Sequence, residues 1–156
     1  MYILKKVLFV CHGNVCRSAM AEAILRKLIK EKHLESTVSV DSAATSTEEL
    51  GNPPHPAVRR ILDDHNVDYS NQYARQIEYN DFKKYDLIIG MDHENIRNLI
   101  HWAPKNDLQK IHLYLDILDD SDGVEISDPW YTGEFDKTFR QINEAMPKWL
   151  DYILAM

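Results

Sequence analysis

A chain of 156 residues, 44% hydrophobic and 28% charged, has the size of one domain and enough apolar residues for a sizeable core. Its net charge of −7 argues against nonspecific nucleic-acid binding and against attraction to anionic membrane surfaces. No apolar run approaches the ~20 residues of a spanning helix.

Lys5 and Lys6 split the short N-terminal apolar stretch, and no small-residue cleavage site follows, so no secretory signal is read there. Two cysteines five residues apart, Cys11 and Cys16, make a poor secreted disulfide framework. A cytoplasmic, reducing location is expected.

The first element is a buried parallel strand, Val7-Leu8-Phe9-Val10, and Ser18 to Lys32 reads as a helix with Met20, Ile24, Leu28 and Ile29 at helical spacing. Between them runs the loop Cys11-His12-Gly13-Asn14-Val15-Cys16-Arg17, in which Cys and Arg stand in a Cys-x5-Arg spacing. A loop from a strand end into a helix start aims free backbone N–H groups at one point, and the helix dipole adds positive charge there. Gly13 and Asn14 are residue types that tolerate the left-handed backbone of such a nest. A cysteine in a positive nest becomes a thiolate more readily, with pKa values of roughly 3.5–7.5 in such settings. Arg17 offers a planar fork matching two phosphate oxygens, and Ser18 a hydroxyl for the sulfur. Nucleophilic thiolate, oxyanion cradle and bidentate Arg together point to phosphoryl transfer onto sulfur.

Val38 to Ser42 is expected as a second strand, followed by a loop from Ala43 to Pro56. Gly51-Asn52-Pro53-Pro54-His55-Pro56 excludes regular structure, and Pro56 suits the first turn of a helix with Val58, Ile61 and Leu62 inward. Asp86 to Met91 reads as a third strand, Asp92 as the cap of the next helix, and Ile111 to Leu115 as a fourth strand. A long acidic loop then leads to a closing helix from about Asp136 to Ala155. Strands alternating with helices predict one α/β domain spanning 1–156, a four-stranded parallel sheet with helices on both faces. In such sheets ligands bind at the carboxyl ends of strands, where the Cys11 loop lies.

A phenolate leaving group needs a proton, and a thiophosphate intermediate needs an activated water; one carboxylic acid can serve both steps. Asp128 is the expected acid, in a loop stiffened by Pro129, with Trp130 and Tyr131 as aromatic walls for a phenolic ring. Asp92, also at a strand's carboxyl end, is its rival. Asp120-Ser121-Asp122-Gly123 fails as a calcium loop because Leu118 and Pro129 occupy ligand positions. The seven histidines lack zinc spacing, so neither metal nor cofactor is expected.

Val7 to Glu22 resembles the signature of the low-molecular-weight protein tyrosine phosphatases. Three further segments, Asp41 to Thr45, Ala74 to Ile77 with Tyr85 to Asp92, and Asp128 to Tyr131, resemble the same family in the same order. The resemblance implies a monomeric enzyme that hydrolyses phosphotyrosine in proteins or peptides, and aryl phosphates, through a cysteinyl-phosphate intermediate. It implies catalytic roles for Cys11, Arg17 and Asp128, with substrate held by residues 12–16, Ser18, Trp130 and Tyr131. It further implies that Asn14, Ser18 and Ser42 brace the phosphate loop, and that Cys16 can form a reversible disulfide with Cys11. His12 and Glu48 depart from the family's aliphatic and aromatic residues, and a protonated His12 would add attraction for phosphate. His55 and Ala57 replace a common Asp and Arg, and Gln72 stands where some members carry His. Arsenate reductases of the same fold need further cysteines, and none follows Cys16. A non-catalytic phosphotyrosine-binding module would not need Cys11, Arg17 and Asp128 together.

Overall fold

The computed structural model describes residues 3–156. β1 (Lys5–Cys11) lies at the centre of a four-stranded parallel sheet, between β2 (Val38–Ala44) and β3 (Leu87–Gly90), with β4 (Ile111–Leu113) outside β3. A central strand is covered on both faces, which is why its residues run apolar rather than alternating. Val7, Phe9 and Cys11 face one core with α1 (Arg17–Glu31), α2 (Pro56–Asp64) and α6 (Phe135–Ala155). Leu8 and Val10 face a smaller one with Phe82 of α3 (Asp81–Lys84) and Leu99 of α4 (His93–Trp102). Helices therefore cover both faces, as expected.

The sheet differs from the sequence reading at its ends. β1 takes in Lys5 and Lys6, paired with Val38 and Ser39, because backbone pairing does not depend on side-chain polarity at a strand's entrance. β2 reaches Ala44 instead of stopping at Ser42; Ala44 N–H donates to Arg75 O and its carbonyl accepts from Ile77 N–H, so a crossing segment extends the ladder. β4 stops at Leu113, not Leu115. Tyr114 begins a 3₁₀ turn (Tyr114–Ile117) in which its carbonyl accepts from Trp149 Nε1 at 2.9 Å and its hydroxyl donates to Ile142 O at 2.6 Å. α6 claims the backbone group that a longer strand would have used.

Three short elements lay outside the sequence reading: α3, a 3₁₀ segment at Lys105–Lys110 and α5 (Pro129–Thr132). None spans two full turns of apolar periodicity, the signal on which such readings depend. Pro147 falls inside α6 without ending it. It and Asn143 are exposed, so the carbonyl that loses its donor is open to water. Gly90 has a steric role at the end of β3: a Cβ there would meet Ile96 Cδ1 at 2.9 Å and Asn95 Cβ at 3.1 Å. Its absence lets α4 start close over the sheet and brings Asp92 to the carboxyl edge.

Candidate active site

Cys11 ends β1, and the chain then loops back into α1, which begins at Arg17. Of the two residues expected in left-handed backbone, only Asn14 adopts it, at φ 59°. Gly13 does not; its added Cβ would sit 3.4 Å from Glu49 Cγ, an ordinary contact, so its value is a backbone without bulk beside the slit. Asn14 is buried and uses its whole amide: Nδ2 donates to Ser18 Oγ and Ser42 Oγ, each at 2.8 Å, while Oδ1 accepts from Arg75 N–H at 3.1 Å. These bonds fix the strained residue that shapes the loop.

Ser18 Oγ accepts from Asn14 and lies 3.0 Å from Cys11 Sγ, placing its own O–H to donate to the sulfur. The backbone N–H of Ser18 also points at the sulfur, at 3.5 Å. Behind them Ser42 Oγ donates to Glu22, which is paired with Arg26. Burial, more than any other influence, holds the Glu22 carboxyl above its ordinary range. Glu22 was missed in the sequence because a Glu on a helix carries no sign of which face it buries. Gln72 joins this network at its far end, accepting from Arg26 and donating to Ala19 O.

Arg17 is 1% exposed. Its Nη1 donates to Asp92 Oδ2 at 2.7 Å and to Ile126 O at 2.9 Å, which locks the plane of the guanidinium. Its Nε is, among the described residues, the one buried side-chain nitrogen or oxygen without a partner. Nη2 has only Asp128 Oδ2, at 3.4 Å. One edge of the fork is thus tied down and the other left for an anion.

Asp92 and Asp128 approach this guanidinium together but are held differently. Asp92 caps α4 through Oδ1, accepting from Asn95 N–H at 2.8 Å, and its backbone N–H donates back to Asn95 Oδ1 in a capping box. Asp128 precedes α5, with Pro129 in its first turn; its Oδ1 accepts from Trp130 N–H at 3.1 Å. The expected Asp-Pro loop is therefore a capped single turn.

One cavity is lined by Cys11, Arg17 and Asp128, with His12, Gly13, Val15, Cys16, Glu48, Glu49, Trp130 and Tyr131 around them. Asn14, Ser18 and Ser42 lie behind its floor as braces. His12 Nε2 is 3.1 Å from Glu48 Oε2, so the two departures pair with each other, and the Glu48 carboxylate offsets charge that a protonated His12 would bring. Cys16 is buried beside Cys11, and burial pushes its thiol far up, with negative charge on Cys11 and Asp128 adding to the effect. Among the described residues, no cluster of three or more His, Cys, Asp or Glu could hold a metal ion.

The model of the low molecular weight phosphotyrosine protein phosphatase family matches residues 6–155. The chain belongs to this family. It is 42% identical over 136 residues to the low molecular weight protein-tyrosine-phosphatase YfkJ of Bacillus subtilis, covering 87% of each chain. The crystal structure of YfkJ superposes with a TM-score of 0.94 over 98% of this chain and 96% of that one, at 38% identity. The chicken low molecular weight phosphotyrosine protein phosphatase is 42% identical over 135 residues, covering 85% of this chain and 84% of its own. A Drosophila arginine phosphatase, DARP, superposes with a TM-score of 0.86 at 33% identity, over 94% of this chain and 96% of its own. Like the family, the chain is a phosphatase and a hydrolase. No helix among the described residues is long and apolar enough to cross a membrane.

Proposed function

We propose that the chain, acting as one phosphatase domain in the reducing cytoplasm, hydrolyses phosphotyrosine in proteins and peptides through a cysteinyl-phosphate intermediate. The observation that carries this is the single cavity in which a thiol, a half-free guanidinium and a carboxyl group face one another. Loop N–H groups and the free edge of Arg17 hold the phosphoryl oxygens, and the charge spreading over them in the transition state strengthens those bonds. The Cys11 thiolate attacks phosphorus opposite the phenolic oxygen; the P–S bond forms, the P–O bond breaks, and Asp128 gives its proton to the departing oxygen. Phosphate oxygens compete with Asp128 for Arg17 Nη2, which frees the carboxyl group for that transfer.

In the second half, the Asp128 carboxylate takes a proton from water, the new P–O bond forms, and sulfur leaves as thiolate. The Ser18 hydroxyl, 3.0 Å from the sulfur, stabilises that anion in both halves. Asp92 suits the acid's role less well, because Arg17 holds its Oδ2 at 2.7 Å, against 3.4 Å for Asp128 Oδ2, and its Oδ1 caps α4 at 2.8 Å. Trp130 and Tyr131, half or more exposed at the mouth, offer walls to a flat ring.

The test is pre-steady-state kinetics on aryl phosphate and phosphotyrosine peptides, with and without EDTA. A burst of phenol followed by turnover unaffected by EDTA is expected. Cys11→Ser should abolish the burst while still binding phosphate, and a Cys11→Ser protein with near-normal kcat would end this mechanism. A phosphoarginine peptide belongs in the panel because DARP is an arginine phosphatase; the aromatic walls favour the tyrosine substrate.

A further inference from the structure

His55 lies outside the cavity that holds the thiol, yet it touches both the phosphate loop and the Trp130 turn that line it. Its backbone N–H donates to Val15 O at 2.9 Å, directly behind the phosphate loop. Its side chain caps α2: Nδ1 accepts from Ala57 N–H at 3.0 Å. An accepting Nδ1 requires the neutral ring with its proton on Nε2. The same ring stacks on Phe135, the first residue of α6, at 4.8 Å between centroids and 26° between planes. It also meets Trp130 in a T-shaped contact at 5.5 Å and 83°. Trp130 in turn donates its backbone N–H to Asp128.

We propose that His55 is a positioning residue of the phosphatase site, a bracket joining the phosphate loop and α2 to Trp130, and through Trp130 to Asp128. The role presupposes the phosphatase reading above. α5 is a single turn, capped by Asp128 before it and by left-handed Gly133 after it, and Pro129 is its one buried residue. Such a turn does not fix the angle of an exposed indole by itself. The imidazole supplies the missing contact, and an Asp at this position would supply only the cap. A second proton on the ring turns Nδ1 into a donor, breaks the bond to Ala57 and puts positive charge at a helix N-terminus, where it is disfavoured. Charged groups near the ring are few: Glu49 and Arg59 line the same surface trough, and exposed Glu134 and Asp136 flank Phe135.

Two variants separate the ring from the cap. His55→Asp keeps an acceptor for Ala57 N–H and removes the ring; His55→Phe keeps a ring and removes the acceptor. For His55→Asp, KM for a phosphotyrosine peptide should rise about 3- to 10-fold, the worth of one aromatic contact, with inhibition by inorganic phosphate nearly unchanged. For His55→Phe, KM should stay near wild type while Tm falls. A readout that needs no turnover is the indole N–H resonance of Trp130, assigned with Trp130→Phe. It should shift in His55→Asp, which removes the ring beside it, and stay near its wild-type position in His55→Phe, which keeps one. Unchanged KM in His55→Asp, equal losses of phosphate and peptide affinity, or an indole resonance indifferent to His55 would each overturn the proposal. Absence of turnover in the wild-type protein would instead count against the phosphatase reading, and the resonance would still report on the bracket.

Discussion

Cys11 and Arg17 meet at one point of one cavity because a strand end and a helix start bring residues six apart to face each other across a loop. Asp128 reaches that point from far along the chain. With Asp128→Asn, kcat on substrates with poor leaving groups should fall about 10²–10⁴-fold, the usual worth of general acid catalysis. The fall should shrink when the leaving group departs without a proton. Equal losses across a series of aryl phosphates would move the acid to Asp92. The local part of this site was legible in the sequence, since loop, thiol, fork and serine sit within eight consecutive residues. The hold of Asp92 on Arg17 and of Glu22 on Ser42 was not, because each joins residues far apart in sequence: Asp92 reads as a cap and a rival acid, Glu22 as an ordinary helix residue. Glu22 makes a prediction of its own. Its carboxyl sits above its ordinary value of 4.5 because burial disfavours the charged form, against the pull of Arg26 and Ser42. The fold therefore favours the protonated form, and the stability this group contributes is present at low pH and lost as pH rises through the raised value. Glu22→Gln does not titrate, so its Tm should gain on that of the wild type as pH goes from 4 to 7. A gap that is constant or narrows with pH would show that the carboxylate is not penalised.

At the scale of elements, α4 links stability to the site, because one residue both caps the helix and holds the Arg17 guanidinium. Asp92→Ala should lose about 0.5–2 kcal/mol, the usual worth of an N-cap, whereas Asp92→Asn retains an acceptor for Asn95 N–H. Both variants remove the charge that fixes Arg17, so both should weaken phosphate inhibition to a similar degree. Melting temperatures read the cap and phosphate Ki reads the orientation; a normal Ki in both variants would mean that Ile126 O alone orients Arg17. The same contrast explains which elements could be read from sequence. α1, α2, α4 and α6 carry apolar residues on one face over two turns or more, and α2 and α4 also begin at Pro56 and at the Asp92 cap, so they were legible. The ends of β2 and β4 were not, since Arg75 and Trp149 decide them by hydrogen bonds from distant segments.

At the scale of the molecule, the proposed phosphate site sits in a protein of net charge −7. Its attraction for phosphate is local, from loop N–H groups and one guanidinium, while Glu48 and Glu49 line the slit and Glu94 stands near Asp92 and Asp128. A peptide approaching the slit meets the negative field of the whole chain before it meets the cradle. The screening length is about 30 Å at 0.01 M salt and about 10 Å at 0.1 M. Raising salt across that range should therefore raise kcat/KM for a phosphotyrosine peptide with acidic neighbours, because screening removes repulsion during encounter. For the same peptide with lysine neighbours the sign reverses, because screening removes attraction. Both series need a bulky, weakly binding anion, so that the salt does not itself occupy the phosphate loop. Opposite slopes for the two peptides are the expected result. Parallel declines would mean that the added anion competes at Arg17 and that the acidic surface plays no part in choosing substrates.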